Sequence, residues 1–63
     1  MTRKDYVKFA ELFHSSKPAP TQEGYEWTMK TWRRHVEKVA GICAEDNSRF
    51  NRSRFYSACG YDE

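Results

Sequence analysis

Apolar and polar positions follow a helical rhythm along most of this chain, most clearly in its middle. Tyr25, Met29, Trp32, Val36, Val39 and Cys43 recur at intervals of 4, 3, 4, 3 and 4 residues, with Ala40 beside them. That is the a/d spacing of a seam packed at a shallow crossing angle. Thr21 is a natural N-cap ahead of Gln22 and Glu23, whose acid suits the positive end of a helix dipole. A helix over about 22–45 is therefore predicted, ~36 Å long at 1.5 Å per residue. Gly41 weakens its final turns, and Glu45 and Asp46 sit unfavourably at a C-terminus, so fraying over 44–47 is expected.

A shorter helix precedes it, over about 3–15. Thr2 and Asp5 have the spacing of a shortened capping box. Tyr6, Phe9, Ala10 and Phe13 fall on one face, flanked by Val7 and Leu12, while Lys4, Lys8 and Glu11 lie opposite. Ser15, Ser16 and the run Lys17-Pro18-Ala19-Pro20 end it, because proline disfavours helical geometry in the residue before it and Pro18 offers no N–H. At some ~20 Å this helix cannot cover the whole of its longer neighbour.

The stretch from Arg49 to Gly60 interleaves arginines with aromatics, and its spacing has a mechanical meaning. Asn51 as N-cap puts Phe50 and Phe55 at the two ends of a hydrophobic staple. Gly60 then falls where left-handed geometry is wanted, and Tyr61 can fold back on Tyr56. The predicted third helix, about 52–59, turns Phe55, Ala58 and Cys59 inward and Ser53, Arg54 and Ser57 outward, and covers what the first helix leaves bare. The fold class expected is all-α: an antiparallel helical hairpin with a short third helix on the overhanging end of the second, in one domain over 1–63.

Composition sharpens this picture in two ways. A chain of 63 residues makes one small domain, and such a domain buries only about 60% of its unfolded surface. With 38% hydrophobic but 16% aromatic residues, the apolar area is concentrated in a few large rings. The net charge of +2 does not mark a dedicated nucleic-acid binder. There is no apolar run of the signal-peptide kind and none approaching the ~20 residues of a membrane span, which points to the cytoplasm and to no membrane partner. Cys43 and Cys59 are then expected to be reduced structural thiols.

Candidate chemistry is sparse. His14, His35, Cys43 and Cys59 lack any short ligand pair of the zinc-site kind, so no metal is expected. His35 lies about two turns from Cys43, and Cys43 belongs to the seam. Without a phosphate loop or paired carboxylates, the chain reads as a non-enzyme with no cofactor. Two surface features remain. Arg49, Arg52 and Arg54 surround the start of the third helix, where positive charge and backbone N–H groups together can hold an anion or a nucleic acid; alternatively they cover apolar surface and pair with Glu45 or Asp46. Trp27 points about 160° away from the seam, in line with Thr31, Arg34 and Lys38 and near Lys30. Either the proline-rich connection folds back over its ring, or Trp27, Lys30, Arg34 and Lys38 form a partner-binding face, tryptophan and arginine being the commonest anchors of interfaces.

An opening such as Met1-Thr2-Arg3-Lys4-Asp5-Tyr6 and a close carrying Asn47, Arg49, Phe50, Asn51, Arg52, Arg54, Phe55, Ala58, Cys59 and Gly60 resemble small proteins encoded by tailed bacteriophages and prophages, over roughly half the chain. The resemblance implies a phage origin and a place in the host cytoplasm, and it brings no assigned activity. By analogy with small phage proteins that act by binding, it suggests a protein engaging a host or phage partner through helix two, including as an inhibitor of host defence. A homodimer across that helix is a further expectation, and binding of a nucleic acid or nucleotide by the three arginines is the alternative.

Overall fold

Local hydrogen bonding sets the start of the first helix. In a computed structural model, which describes residues 2–61, Thr2 is extended and the Asp5 carboxylate accepts from its backbone N–H at 2.9 Å and its hydroxyl at 3.3 Å. This closes the capping box and begins α1 (Arg3–Ser16). Met1, Asp62 and Glu63, included in the expected domain over 1–63, lie outside the described residues. At the far end of α1 the Ser15 and Ser16 hydroxyls donate to the carbonyls of Leu12 and Phe13. These local bonds accompany the end of the helix just ahead of a buried Pro18.

The second helix, α2 (Tyr25–Asp46), starts three residues later than the expected Gln22. Gln22 is drawn into a turn instead: its N–H donates to the Ala19 carbonyl, and its side-chain oxygen accepts from the Ala19 N–H, both at 3.0 Å. Gly24, at φ 71°, then occupies the left-handed region and redirects the chain into the helix, a role open to glycine at little cost. At the other end the helix continues through Asp46, across the turns where fraying is expected. Ala40 and Cys43 are fully buried in the last turns, and burial of that seam outweighs the roughly 1 kcal/mol that Gly41 costs a helix.

Asn47 and Asn51 shape the next connection. The Asn47 side chain accepts from the Arg49 N–H, and the Asn51 side chain accepts from the Arg54 N–H, each at 3.0 Å, so Asn51 caps α3 (Arg52–Cys59) as expected. The staple is present, with the Phe50 and Phe55 rings 5.4 Å apart. Gly60 is left-handed at φ 80°, the Tyr61 N–H reaches the Tyr56 carbonyl at 2.9 Å, and the two tyrosine rings stack at 4.7 Å. This is the expected C-terminal motif.

The described residues thus form three helices, an all-α fold. Tyr6, in the second turn of α1, donates to Asp46 at the end of α2, while Trp32 Nε1 donates to the Phe13 carbonyl at 3.1 Å, so α1 and α2 run antiparallel. Tyr6 also meets Phe50 edge-on at 4.9 Å, and Lys17, beyond the other end of α1, donates to the Gly60 carbonyl. Hence α1 and α3 point the same way. The third helix packs mainly against α1 and less against α2, which corrects the expectation that it caps the overhang of helix two. The reason lies in side-chain size: α1 and α2 meet through rings such as Phe13 and Trp32, whereas α3 presents Gly60 so closely to α1 that a Cβ there would stand 3.2 Å from the His14 ring.

The core comprises Ala10, Met29, Trp32, Val36, Ala40, Phe55 and Cys59, with Cys43 also fully buried. Tyr25 and Val39, expected in the seam, are half-buried at its margins. Ala58, expected inward, is exposed. Trp32 joins all three parts, since its ring meets Phe13 edge-on and stacks with Tyr61 at 6.2 Å, and its only polar atom is bonded. Among the described residues, no helix is long and apolar enough to cross a membrane.

Candidate functional site

The outer face of α2 carries the first candidate surface. Burial of Met29, Trp32, Val36, Ala40 and Cys43 fixes the rotation of the helix and leaves the opposite side to solvent. Trp27 is 75% exposed there, and Lys30, Thr31, Arg34 and Lys38 are exposed with it. The proline-rich connection therefore does not cover the indole ring, and that reading of Trp27 is overturned. Thr31 turns its hydroxyl back to the Trp27 carbonyl at 3.2 Å, so it adds little polarity of its own. The sequence reading missed Ile42, which is 57% exposed. By helical geometry it lies about 60° around the axis from Trp27 and about 22 Å along it. Its signal was its absence from the seam. The face thus carries two exposed apolar side chains separated by Lys30, Arg34 and Lys38, with Glu45 beyond them.

A second surface lies where α1 and α3 begin. Because these helices run in the same direction, Arg3 of α1, Arg49 of the connection and Arg54 of α3 line one groove of about 460 Å³. Tyr6, Phe50 and Val7 contribute apolar and aromatic wall. Of the three arginines expected to act together, Arg49 and Arg54 line this groove, while Arg52 is exposed outside its lining. Arg3 was missed, because nothing local links it to a segment more than forty residues away; only the parallel packing of α1 and α3 brings it in. The expected pairing of the arginines with Glu45 or Asp46 does not form among the described residues. Asp46 accepts instead from the Tyr6 hydroxyl, whose pKa is raised first by burial.

The remaining reactive groups lie inside. Cys43 and Cys59 are free, fully buried thiols. Burial pushes Cys59 up to about 11, with a smaller contribution from Cys43 beside it, and raises Cys43 as well. Thiols held in that form are poor nucleophiles at neutral pH. His35 is exposed on α2, away from Cys43 in the core. Among the described residues, no three metal-ligating side chains gather.

These surfaces define a small three-helix protein whose distinctive chemistry lies outside its core. No protein family, curated protein or solved structure matches the chain.

Proposed function

We propose that this protein is a non-enzymatic phage binding module that engages an acidic, amphipathic helical segment of a host protein through the outer face of α2, and so blocks or modulates that protein, host defence being the expected setting. One observation carries the reading: Trp27 is 75% exposed on α2, in a row of cations that form no ion pair among the described residues and that ends in exposed Ile42. A large ring held in water at this cost is a ready anchor for an interface. The cations select the partner, because a segment bearing carboxylates between two apolar residues complements Lys30, Arg34 and Lys38, whereas a second copy of α2 would bring Arg34 against like charge.

The test is calorimetric titration with a Glu-rich amphipathic helical peptide carrying Leu and Phe anchors, beside a Lys-rich peptide of the same apolar pattern. The acidic peptide binds and the basic one does not. Trp27→Ala weakens binding by ~2 kcal/mol or more while leaving the melting temperature unchanged. Equal binding of both peptides, or binding indifferent to Trp27, overturns the reading. Sedimentation of the same variant separates the homodimer: a wild-type dimer that dissociates on losing Trp27 makes a second copy the occupant of the face.

A further inference from the structure

The groove between α1 and α3 is separate from the outer face of α2 and independent of the function proposed for it. We infer that it is a binding site for a small phosphate-bearing aromatic ligand, a nucleotide of one or two phosphates. Three observations carry this. Arg3, Arg49 and Arg54 reach the same groove from three different segments, and none is paired with a carboxylate among the described residues. Three arginines lining one concavity concentrate positive charge that an anion would relieve, and their planar donor forks suit phosphate oxygens in bidentate geometry. The acids nearest in sequence to this end are already engaged: Asp5 accepts from the Thr2 backbone and Asp46 from the hydroxyl of Tyr6 on the groove wall, and neither acid is itself part of the lining.

The second observation is the aromatic wall. Tyr6 and Phe50 are half-buried, meet edge-to-face at 4.9 Å and line the groove together, so they form one joined aromatic wall. Phe50 is pinned in turn by Phe55, which is 4% exposed. A planar base stacks on such a wall, which inorganic phosphate cannot use. The third is size. At about 460 Å³ the groove falls in the range of small-molecule sites, roughly 300–1,000 Å³. An extended nucleic acid would need a basic track continuing past the groove, and Arg52, the remaining arginine of this stretch, is not part of the lining.

The experiment is NMR titration of the full chain with ADP, inorganic phosphate, adenosine and a short single-stranded oligothymidine. ADP shifts the amides of Arg3, Tyr6, Phe50 and Arg54 and binds at least about tenfold tighter than inorganic phosphate or adenosine, since both halves of the ligand contribute. Arg3→Gln and Arg54→Gln each weaken ADP at least about fivefold, a loss expected for one charge-assisted contact. Arg52→Gln and Trp27→Ala leave ADP affinity unchanged. All of these positions are exposed, so the variants stay folded, which a thermal melt verifies. Three results overturn the assignment: no shift at these amides with millimolar ADP, ADP affinity indifferent to Arg3 and Arg54, or oligothymidine displacing ADP with a dependence on Arg52. The last would give the face to a nucleic acid. None of these outcomes bears on the acidic peptide, whose binding depends on Trp27.

Discussion

Replacing Phe55 by alanine tests how the three helices depend on one another. Phe55 is 4% exposed and sits against Phe50 at 5.4 Å and Tyr56 at 6.4 Å, on the helix that closes the core over α1. Truncating a buried phenylalanine costs about 3–5 kcal/mol, part of it lost transfer energy and part the cavity left behind. A domain of this length has only about 3–9 kcal/mol of stability in all, at 0.05–0.15 kcal/mol per residue. The variant is therefore expected to lose most of its folded population, or at least about 12 °C in melting temperature, at some 4–8 °C per kcal/mol for a small domain. Phe55→Leu gives the control: it retains most of the apolar area and loses chiefly the ring pair, about 0.5–1.5 kcal/mol. Phe50→Ala falls between, because Phe50 is only half-buried. Thermal melts followed by circular dichroism at 222 nm rank the three. A Phe55→Ala protein that melts like the wild type would show that α3 is not part of the cooperative core, and the reasoning fails.

Two further expectations use the same measurements. Gly60→Ala forces a side chain into left-handed geometry at φ 80° and brings its Cβ to 3.2 Å from the His14 ring; it is expected to destabilise by about 1–2 kcal/mol or more, and a neutral result would show that the C-terminal turn relaxes freely. Cys59 gives a pH dependence: its folded pKa of about 11 lies above the ordinary 9.0, so the unfolded chain releases the proton first and stability declines as pH rises through 9 to 11. The full loss from this group is about 2–3 kcal/mol, and Cys59→Ser, tested against it by urea melts at pH 7 and pH 10.5, removes that part of the slope.

The parts of the fold that were legible in the sequence are those fixed by short spacings. The staple, the Asn51 cap, the left-handed Gly60 and the rotation of α2 all follow from residues within one or two turns of each other. Where two local signals competed, the reading failed: Thr21 looks like a cap, yet Gln22 closes a turn on Ala19 and the left-handed Gly24 starts the helix instead. Sites divide along the same line. The row Trp27, Lys30, Arg34 and Lys38 lies on one helix, so its common face was readable, and only Ile42 was overlooked. The groove could not be read, because Arg3 joins Arg49 and Arg54 through the relative direction of two helices that no local pattern encodes.

The pairing of α1 with α3 also sets the order in which the chain can be built. Its two most closely packed helices are separated by the whole of α2, and the lock between Lys17 and Gly60 spans 43 residues. A nascent chain that has left the ribosome as far as Asp46 has two helices meeting through a few rings and an α1 whose main partner has not yet been made. Closing so long a loop costs conformational entropy that is recovered only when Phe55 and Cys59 arrive. Until then much of the apolar side of α1 lacks its main cover, which leaves the partly made chain open to proteases and to self-association.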